Sequence, residues 1–232
     1  MEQTKSMKTR VSTEAKPERH SELGRSLLET LMVVAVAAIL TSVTVPQIIS
    51  ARRLMRSAAL PREVMTQLRY ARQQAMSQRQ VFTFQYDDST KEIKIIDHNN
   101  VNNATTSCNV SGLTILNDVS YPNTACATTV LQVPLVGGAL PASELTFGVP
   151  SGITSTTLGD NSTPTSLVSS KINITFQQDG TVVDANGNPI NRTLFFYNNK
   201  APKETAAAIS VLGTAGRIKI WRYDTSGQKY AE

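Results

Sequence analysis

Apolar and polar positions divide the chain into three parts with different periods. An unbroken run of apolar and small residues extends from Leu27 to Val45 and contains a single charged residue, Glu29. Apolar residues then recur every three or four positions up to about residue 80, and from Val81 apolar and polar residues alternate. These patterns predict a long N-terminal helix followed by a strand-rich body, which is an α+β chain.

The second half of the predicted helix carries an apolar stripe along one face. The residues at i, i+4, i+7 and i+11 are Val64, Leu68, Ala71 and Ala75, and arginines occupy much of the remaining surface. Pro61 fits either the first turn of a new segment or a tolerated kink. The helix is predicted over residues 25–80, with a membrane-spanning part at about 27–46 and a second half packed on a globular domain.

Six segments with a period of two predict the strands of an antiparallel sheet in residues 81–232. The first two are joined by "DDSTK" as a hairpin, and Asp179-Gly180 predicts a turn into one further strand. The segments are "VFTFQY" (81–86), "EIKIID" (92–97), "KINITF" (171–176), "RTLFFY" (192–197), "AAISVL" (207–212) and "GRIKIWRY" (216–223).

A region from about 99 to 170 interrupts these strands and is predicted to be a variable insert, rich in Asn, Thr, Ser, Gly and Pro. It contains both cysteines of the chain, Cys108 and Cys126. No histidine pair lies near them, so a metal site is disfavoured. A disulfide in an oxidising compartment fits better and would stabilise the fold by about 3 kcal/mol, whereas two unpaired cytosolic thiols are the alternative.

The apolar run is long enough to cross a membrane. As a helix at ~1.5 Å per residue it measures about 28 Å, close to the ~30 Å of a bilayer core. Residues 1–24 are polar, mix both charges and have no clear period, so they are predicted to be a leader. A cleavable secretory signal ending at "AVAA" (35–38) is the competing interpretation, but Glu29 would then lie inside its apolar region.

Basic residues flank this helix on both sides in similar number, so the positive-inside rule favours neither orientation in the membrane. The cysteine pair favours a body outside the cytosol. Glu29 is costly at mid-membrane, by ~2.5–3.5 kcal/mol, but it is close enough to the helix start to reach the interface. If the chain is cut before Arg25, the new amino group of a neighbouring subunit can pair with Glu29, which then sets the register of stacked helices.

The stretch "G-RSLLE" followed by a long apolar helix resembles the class III leader of type IV pilins and type II secretion pseudopilins. The resemblance implies that a prepilin peptidase cuts between Gly24 and Arg25 and methylates the new N-terminus. Glu29 then takes the place of the assembly glutamate of the family, and Pro46 that of a helix-loosening proline. The chain departs from the family at Arg25, where Phe or Met is usual, and at Thr30, where leucine is commoner.

The body resembles the GspH/FimT-type pseudopilin domain over residues 25–98 and 171–223. The resemblance is carried by "LRYARQQAMSQRQVFTFQYDDSTKEIKI", then "ITFQQDGTVVDANG", then "ISVLGTAGRIKIW". It implies a minor pilin or pseudopilin, an assembly subunit of a type IV pilus or a type II secretion pseudopilus that takes part in protein secretion. Its partners would be prepilin peptidase, other pilins and inner-membrane lipid. The subunit would span the bacterial inner membrane once, with a periplasmic C-terminal domain, before it enters the filament.

No catalytic pattern accompanies this anchor. The two histidines are His20, in the leader, and His98, at a strand end, and no Gly-x-Ser-x-Gly, P-loop or metal-ligand spacing occurs. Asp87-Asp88 is most simply turn chemistry. A membrane-anchored hydrolase is therefore disfavoured, and no enzyme activity, cofactor, metal or small-molecule substrate is expected. The formal net charge of +5 allows contact with anionic lipid or nucleic acid without requiring either.

The last predicted strand places Ile218 and Ile220 on one face, toward the core. The other face carries two cations followed by two aromatic residues, a pattern that suits a phosphate backbone and base faces: Arg217, Lys219, Trp221 and Tyr223. Some members of the resembled family are linked to DNA uptake through a basic "GRxR" motif near the C-terminus. This chain has "GRIK" there, so Lys219 replaces the second arginine. Lysine keeps the positive charge but cannot form the two parallel hydrogen bonds that a guanidinium makes to a phosphate. A DNA-binding minor pilin is thus the alternative function. The competing interpretation is a solvated outer face with Trp221 packed under the variable region.

Overall fold

The computed structural model describes residues 27–98, 128–137, 140–184 and 188–232. A single helix, α1 (Leu27–Gln78), opens the described chain. The chain divides after Val45 into two compact units, and helix α1 contributes to both. The predicted ends of the leader and of the variable insert remain predictions.

In the first unit, every described side chain of helix α1 is exposed, from Leu27 at 79% to Val45 at 54%. The segment is long and apolar enough to cross a membrane. Its hydroxyls bond carbonyls of their own helix, as Thr30 does to Leu27 and Thr44 to Leu40. Hydroxyls satisfied in this way add little polar surface to an apolar helix.

In the second unit, helix α1 buries the stripe that the sequence predicts. Val64, Leu68, Ala71 and Ala75 are all fully buried, and Leu60 joins them in the main core. The helix continues through Pro61, so no new segment begins there. Because Pro61 has no N–H, the carbonyl of Ser57 lacks its usual partner within the helix.

Four strands form the first antiparallel sheet, in the order β3-β2-β1-β5. Their bounds are β1 Phe82–Asp87, β2 Glu92–Asp97, β3 Thr128–Pro134 and β5 Lys171–Phe176. Phe84 on β1 lies opposite Ile95 on β2 and Ile174 on β5, and all three enter the main core. The alternation of apolar and polar residues thus directs one face of this sheet inward.

The second antiparallel sheet has five strands in the order β4-β6-β7-β8-β9. Their bounds are β4 Leu145–Phe147, β6 Arg192–Asn198, β7 Ala207–Leu212, β8 Arg217–Asp224 and β9 Lys229–Ala231, and a 3₁₀ turn, Ala142–Glu144, precedes β4. Its inner face joins the main core, and its outer face forms a second apolar cluster that includes Phe195, Trp221 and Tyr230.

The predicted α+β class is therefore confirmed: a long N-terminal helix packs on antiparallel sheets. The structure has two sheets where the sequence predicted one. The strand expected after Asp179-Gly180 is wrong, because only isolated bridges form there, such as Phe176 with Val182. Strands β3, β4 and β9 were not predicted from the sequence, and β3 and β4 lie in the region predicted as a variable insert.

Candidate functional site

The first candidate site is the start of helix α1, where Glu29 lies in the first turn. It is exposed, and it is the single charged residue between Leu27 and Val45. A carboxylate near a helix N-terminus is favoured by the helix dipole. Gly24 and Arg25, the predicted cleavage and methylation positions, lie outside the described residues.

The second candidate site is a groove between helix α1 and the beginning of β8, with a volume of about 430 Å³. Arg72 lines this groove and is held by two hydrogen bonds to backbone carbonyls. Its Nε donates to the carbonyl of Gly180 at 3.2 Å, and its Nη2 donates to the carbonyl of Ala215 at 2.8 Å. One helix side chain therefore connects the Asp-Gly turn to the turn before β8.

Glycine is required on both turns at this junction. Gly216 has φ +56, and a Cβ there would collide with the carbonyl oxygen of Gly180. Gly180 has φ +79, and a Cβ there would lie 2.8 Å from the sulfur of Met76. The two glycines thus allow the turns to approach each other beneath Arg72.

The groove is strongly basic. Its charged lining residues are Arg69, Arg72, Arg217, Lys219 and Glu232. Arg69 and Arg217 are exposed, and neither forms an ion pair within the described part of the chain. Lys219 pairs with Glu232 at 2.5 Å, and its ammonium lies 5.0 Å from the centroid of the Trp221 ring. Sequence reasoning predicted the cations of β8 but did not connect them with Arg69 and Arg72.

Trp221 does not offer an exposed face for stacking, so that part of the prediction for β8 is wrong. Only 6% of Trp221 is exposed, and its Nε1 donates to the hydroxyl of Ser210 at 2.9 Å. Gly159 packs so closely that an added Cβ would lie 3.0 Å from the indole ring. A segment of the predicted insert therefore covers Trp221, as in the competing interpretation. Tyr223 is half-buried beside Tyr230.

Asp160 anchors this covering segment to the sheet. It accepts hydrogen bonds from the hydroxyl of Ser210 and from the backbone N–H of Ser162. Burial alone would raise the pKa of Asp160, but these hydrogen bonds outweigh it and hold the pKa below its usual value. These hydrogen bonds hold the segment around Asp160 in place over Trp221.

A buried polar cluster links helix α1 to the second sheet, and no sequence pattern predicts it. Glu144 pairs with Arg53 at 3.0 Å, although only 6% of the Glu144 side chain is exposed. The amide of Asn198 donates to the hydroxyl of Ser57 at 2.9 Å and to Glu144 at 3.4 Å. These residues come from three distant parts of the chain, so no local pattern identifies them.

His98 and the Asp87-Asp88 pair have structural surroundings. His98 is buried, its Nε2 lies 2.7 Å from the hydroxyl of Thr83, and burial lowers its pKa to about 4. Asp87 accepts a hydrogen bond from the backbone N–H of Ser89 at 3.0 Å, the turn chemistry that the sequence predicts.

No group of His, Cys, Asp and Glu side chains that could hold a metal ion occurs within the described ranges. Cys108, Cys126 and His20 lie outside those ranges.

Comparison with known proteins gives a limited likeness. No family model matches the chain, and neither does any curated protein. Two crystal forms of the type IV minor pilin FimU of Pseudomonas aeruginosa are similar in structure. They share 19% identity, cover 75% of this chain and 91% and 96% of their own chains, and have TM-scores of 0.39 and 0.38. Likeness at this level does not bear on function.

Proposed function

We propose that this chain is a minor pilin or pseudopilin, an assembly subunit of a type IV pilus or a type II secretion pseudopilus. The observation that carries the proposal is the composition of helix α1. Its first part is apolar, exposed and marked by Glu29 near its start, whereas its second part supplies the core of an α+β domain. A helix of this kind suits a subunit that passes from a membrane into a stack of like helices.

Before assembly the subunit spans the inner membrane once, with its C-terminal domain in the periplasm. The hydroxyls of residues 30–44 that bond their own helix support insertion into lipid. Glu29 lies near the end of the span, where its carboxylate reaches the interface.

Prepilin peptidase then cuts between Gly24 and Arg25 and methylates the new N-terminus. During assembly that amino group pairs with Glu29 of a neighbouring subunit. Away from water this pair is strong, and a carboxylate left without its partner is heavily penalised. Glu29 thereby fixes the register at which each subunit stops.

Processing is tested by expressing the whole chain with and without a prepilin peptidase and determining its N-terminus by mass spectrometry. We expect the membrane-bound protein to begin at methylated Arg25 when the peptidase is present. A Gly24→Ile variant should stay uncut, because the peptidase no longer finds glycine at the cut. Cleavage near Ala38 would contradict the proposal, and so would the absence of cleavage when the peptidase is present.

We also propose that Cys108 and Cys126 form a disulfide in the periplasm. The oxidised protein should migrate faster than the reduced protein in a denaturing gel, and a Cys108→Ser, Cys126→Ser double variant should show no difference. Two thiols that react with a maleimide in periplasmic protein would exclude the disulfide.

A second candidate function is DNA contact by a minor pilin, and the basic groove favours it. Arg69 on helix α1 and Arg217 on β8 both line the groove and are exposed, so the groove presents positive charge from both elements. With Trp221 buried, the groove suits the phosphate backbone of duplex DNA rather than stacked bases.

DNA contact is tested by measuring duplex affinity against salt concentration for Arg217→Ala and Arg69→Ala. Each lost phosphate contact should reduce the slope of log affinity against log salt by about 1. Arg62→Ala is the matched control, because Arg62 is exposed on the same helix and does not line the groove. Variants that all retain the wild-type slope would exclude the groove as a DNA site.

A further inference from the structure

Glu232 is the one acidic residue among the described residues that line the groove. Its carboxylate lies 2.5 Å from the ammonium of Lys219. The Lys219 side chain is 14% exposed, whereas that of Glu232 is 57% exposed. The acid therefore lies on the solvent side of the pair and covers the lysine.

The four cations of the groove are consequently not equivalent. Arg72 donates to two backbone carbonyls, and Lys219 is enclosed between Glu232 and the ring of Trp221. Arg69 and Arg217 are exposed. An anion that enters the groove meets these two arginines first, and it reaches Lys219 only where Glu232 has moved away.

The position of Glu232 is restrained by the strand before it. Strand β9 pairs with β8, and Tyr230 on β9 is buried in the outer cluster beside Tyr223. Glu232 is two residues beyond this anchor, so its carboxylate returns to Lys219 at a high effective concentration. Because the Glu232 carboxylate is exposed to solvent, the pair is nevertheless weak enough for an anion to displace it.

We propose that Glu232 is an internal competitor that regulates the affinity of the groove for a polyanion by occupying Lys219. This inference rests on the DNA-contact candidate. The carboxylate takes the place of one phosphate, so the groove binds through Arg69 and Arg217 at first and through Lys219 after displacement. Removal of the Glu232 charge should strengthen binding and add one ionic contact.

The test compares Glu232→Gln with wild type in the whole chain, purified in non-ionic detergent, using labelled duplex DNA over a range of salt concentrations. Glutamine keeps the size of the side chain and removes its charge. We expect a gain of about two- to fivefold in affinity, the range typical of an ion pair at a protein surface, and a salt slope steeper by about 1. Trp221, the single tryptophan, should change its emission in the variant because Lys219 next to it is released.

Glu204→Gln is the matched control, because it changes the net charge equally at an exposed residue outside the groove lining. In a Lys219→Ala background, Glu232→Gln should give no gain. If wild type binds duplex and Glu232→Gln binds no tighter than Glu204→Gln, the competitor is excluded while DNA contact stands. If neither wild type nor Glu232→Gln binds duplex, DNA contact fails and the competitor fails with it.

Discussion

At the scale of single residues, the junction beneath Arg72 shows how chemistry and backbone geometry combine. A side chain at Gly216 would collide with the carbonyl of Gly180, and one at Gly180 would meet Met76. Arg72 then bonds a carbonyl on each of the two turns. In the "GRIK" stretch, Gly216 therefore allows the close packing of the turns, whereas Arg217 and Lys219 supply positive charge to the groove. The two requirements are separable by substitution.

Replacing Gly216 with alanine should lower the free energy of unfolding by about 2–4 kcal/mol. The methyl group enters a left-handed backbone conformation and meets the carbonyl oxygen of Gly180. Urea denaturation followed by circular dichroism measures the change. Thr214→Ala, at an exposed position in the same turn, should remain within about 0.5 kcal/mol of wild type. A Gly216→Ala protein as stable as wild type would show that the turns are not in contact.

Stability should fall as pH decreases from 6.5 toward 4 because His98 is buried in its neutral form. Burial lowers its folded pKa from 6.5 to about 4, so the unfolded chain binds the proton first, and about 3 kcal/mol is lost across this interval. Three carboxylates have a folded pKa below the usual 3.8, so their contribution to stability is lost mainly as the pH falls below about 4. They are Asp87, Asp160 and Asp179.

The pH effect of His98 is measured as unfolding free energy against pH for wild type and for His98→Gln. Glutamine does not titrate, so the variant should have a flatter curve between pH 6.5 and 4 whatever its absolute stability. Equal slopes in the two proteins would mean that His98 does not cause the loss.

At the scale of elements, the second half of helix α1 is stabilised by its buried stripe. Leu68→Ala should cost about 2–5 kcal/mol, because Leu68 is fully buried and its removal leaves a cavity against the sheets. Gln73→Ala, on the exposed side of the same helix, should change stability by less than about 0.5 kcal/mol. The free energy of unfolding in urea distinguishes the two. A small cost at Leu68 would contradict the packing of helix on sheet.

The strands show which elements a sequence predicts and which it does not. Segments 92–97, 171–176 and 207–212 were predicted residue for residue, because six alternating positions with β-branched residues leave little ambiguity. Strands β4 and β9 have three residues each, too short for a period to show. The Asp-Gly turn was recognised, but the segment after it pairs only through bridges.

The candidate sites likewise combine residues that a local sequence pattern predicts with residues that it does not. The shared face of Arg217 and Lys219 follows from alternation along β8, and Glu29 follows from the cost of a charge in an apolar run. The burial of Trp221 depends on Gly159 and Asp160, far away in a segment without a clear pattern. The arginines of helix α1 reach the groove only through tertiary packing, which no local spacing reveals.

At the scale of the whole molecule, the first unit has an apolar surface that needs an environment other than water. Every described side chain from Leu27 to Val45 is exposed, and 19 consecutive positions include one charge. The hydrophobic effect drives such a helix into lipid or against like helices. The second unit has its own core and two sheets, so it folds around the remainder of the same helix.

The most direct test of the central claim is whether Glu29 is needed for incorporation into a filament but not for insertion into the membrane. The measurement is the amount of this chain in sheared filaments and in the membrane fraction, for wild type, Glu29→Gln and the control Thr30→Val. We predict equal amounts of all three in the membrane. Wild type and Thr30→Val should enter filaments, whereas Glu29→Gln should not. Incorporation of Glu29→Gln at the wild-type level would contradict the account.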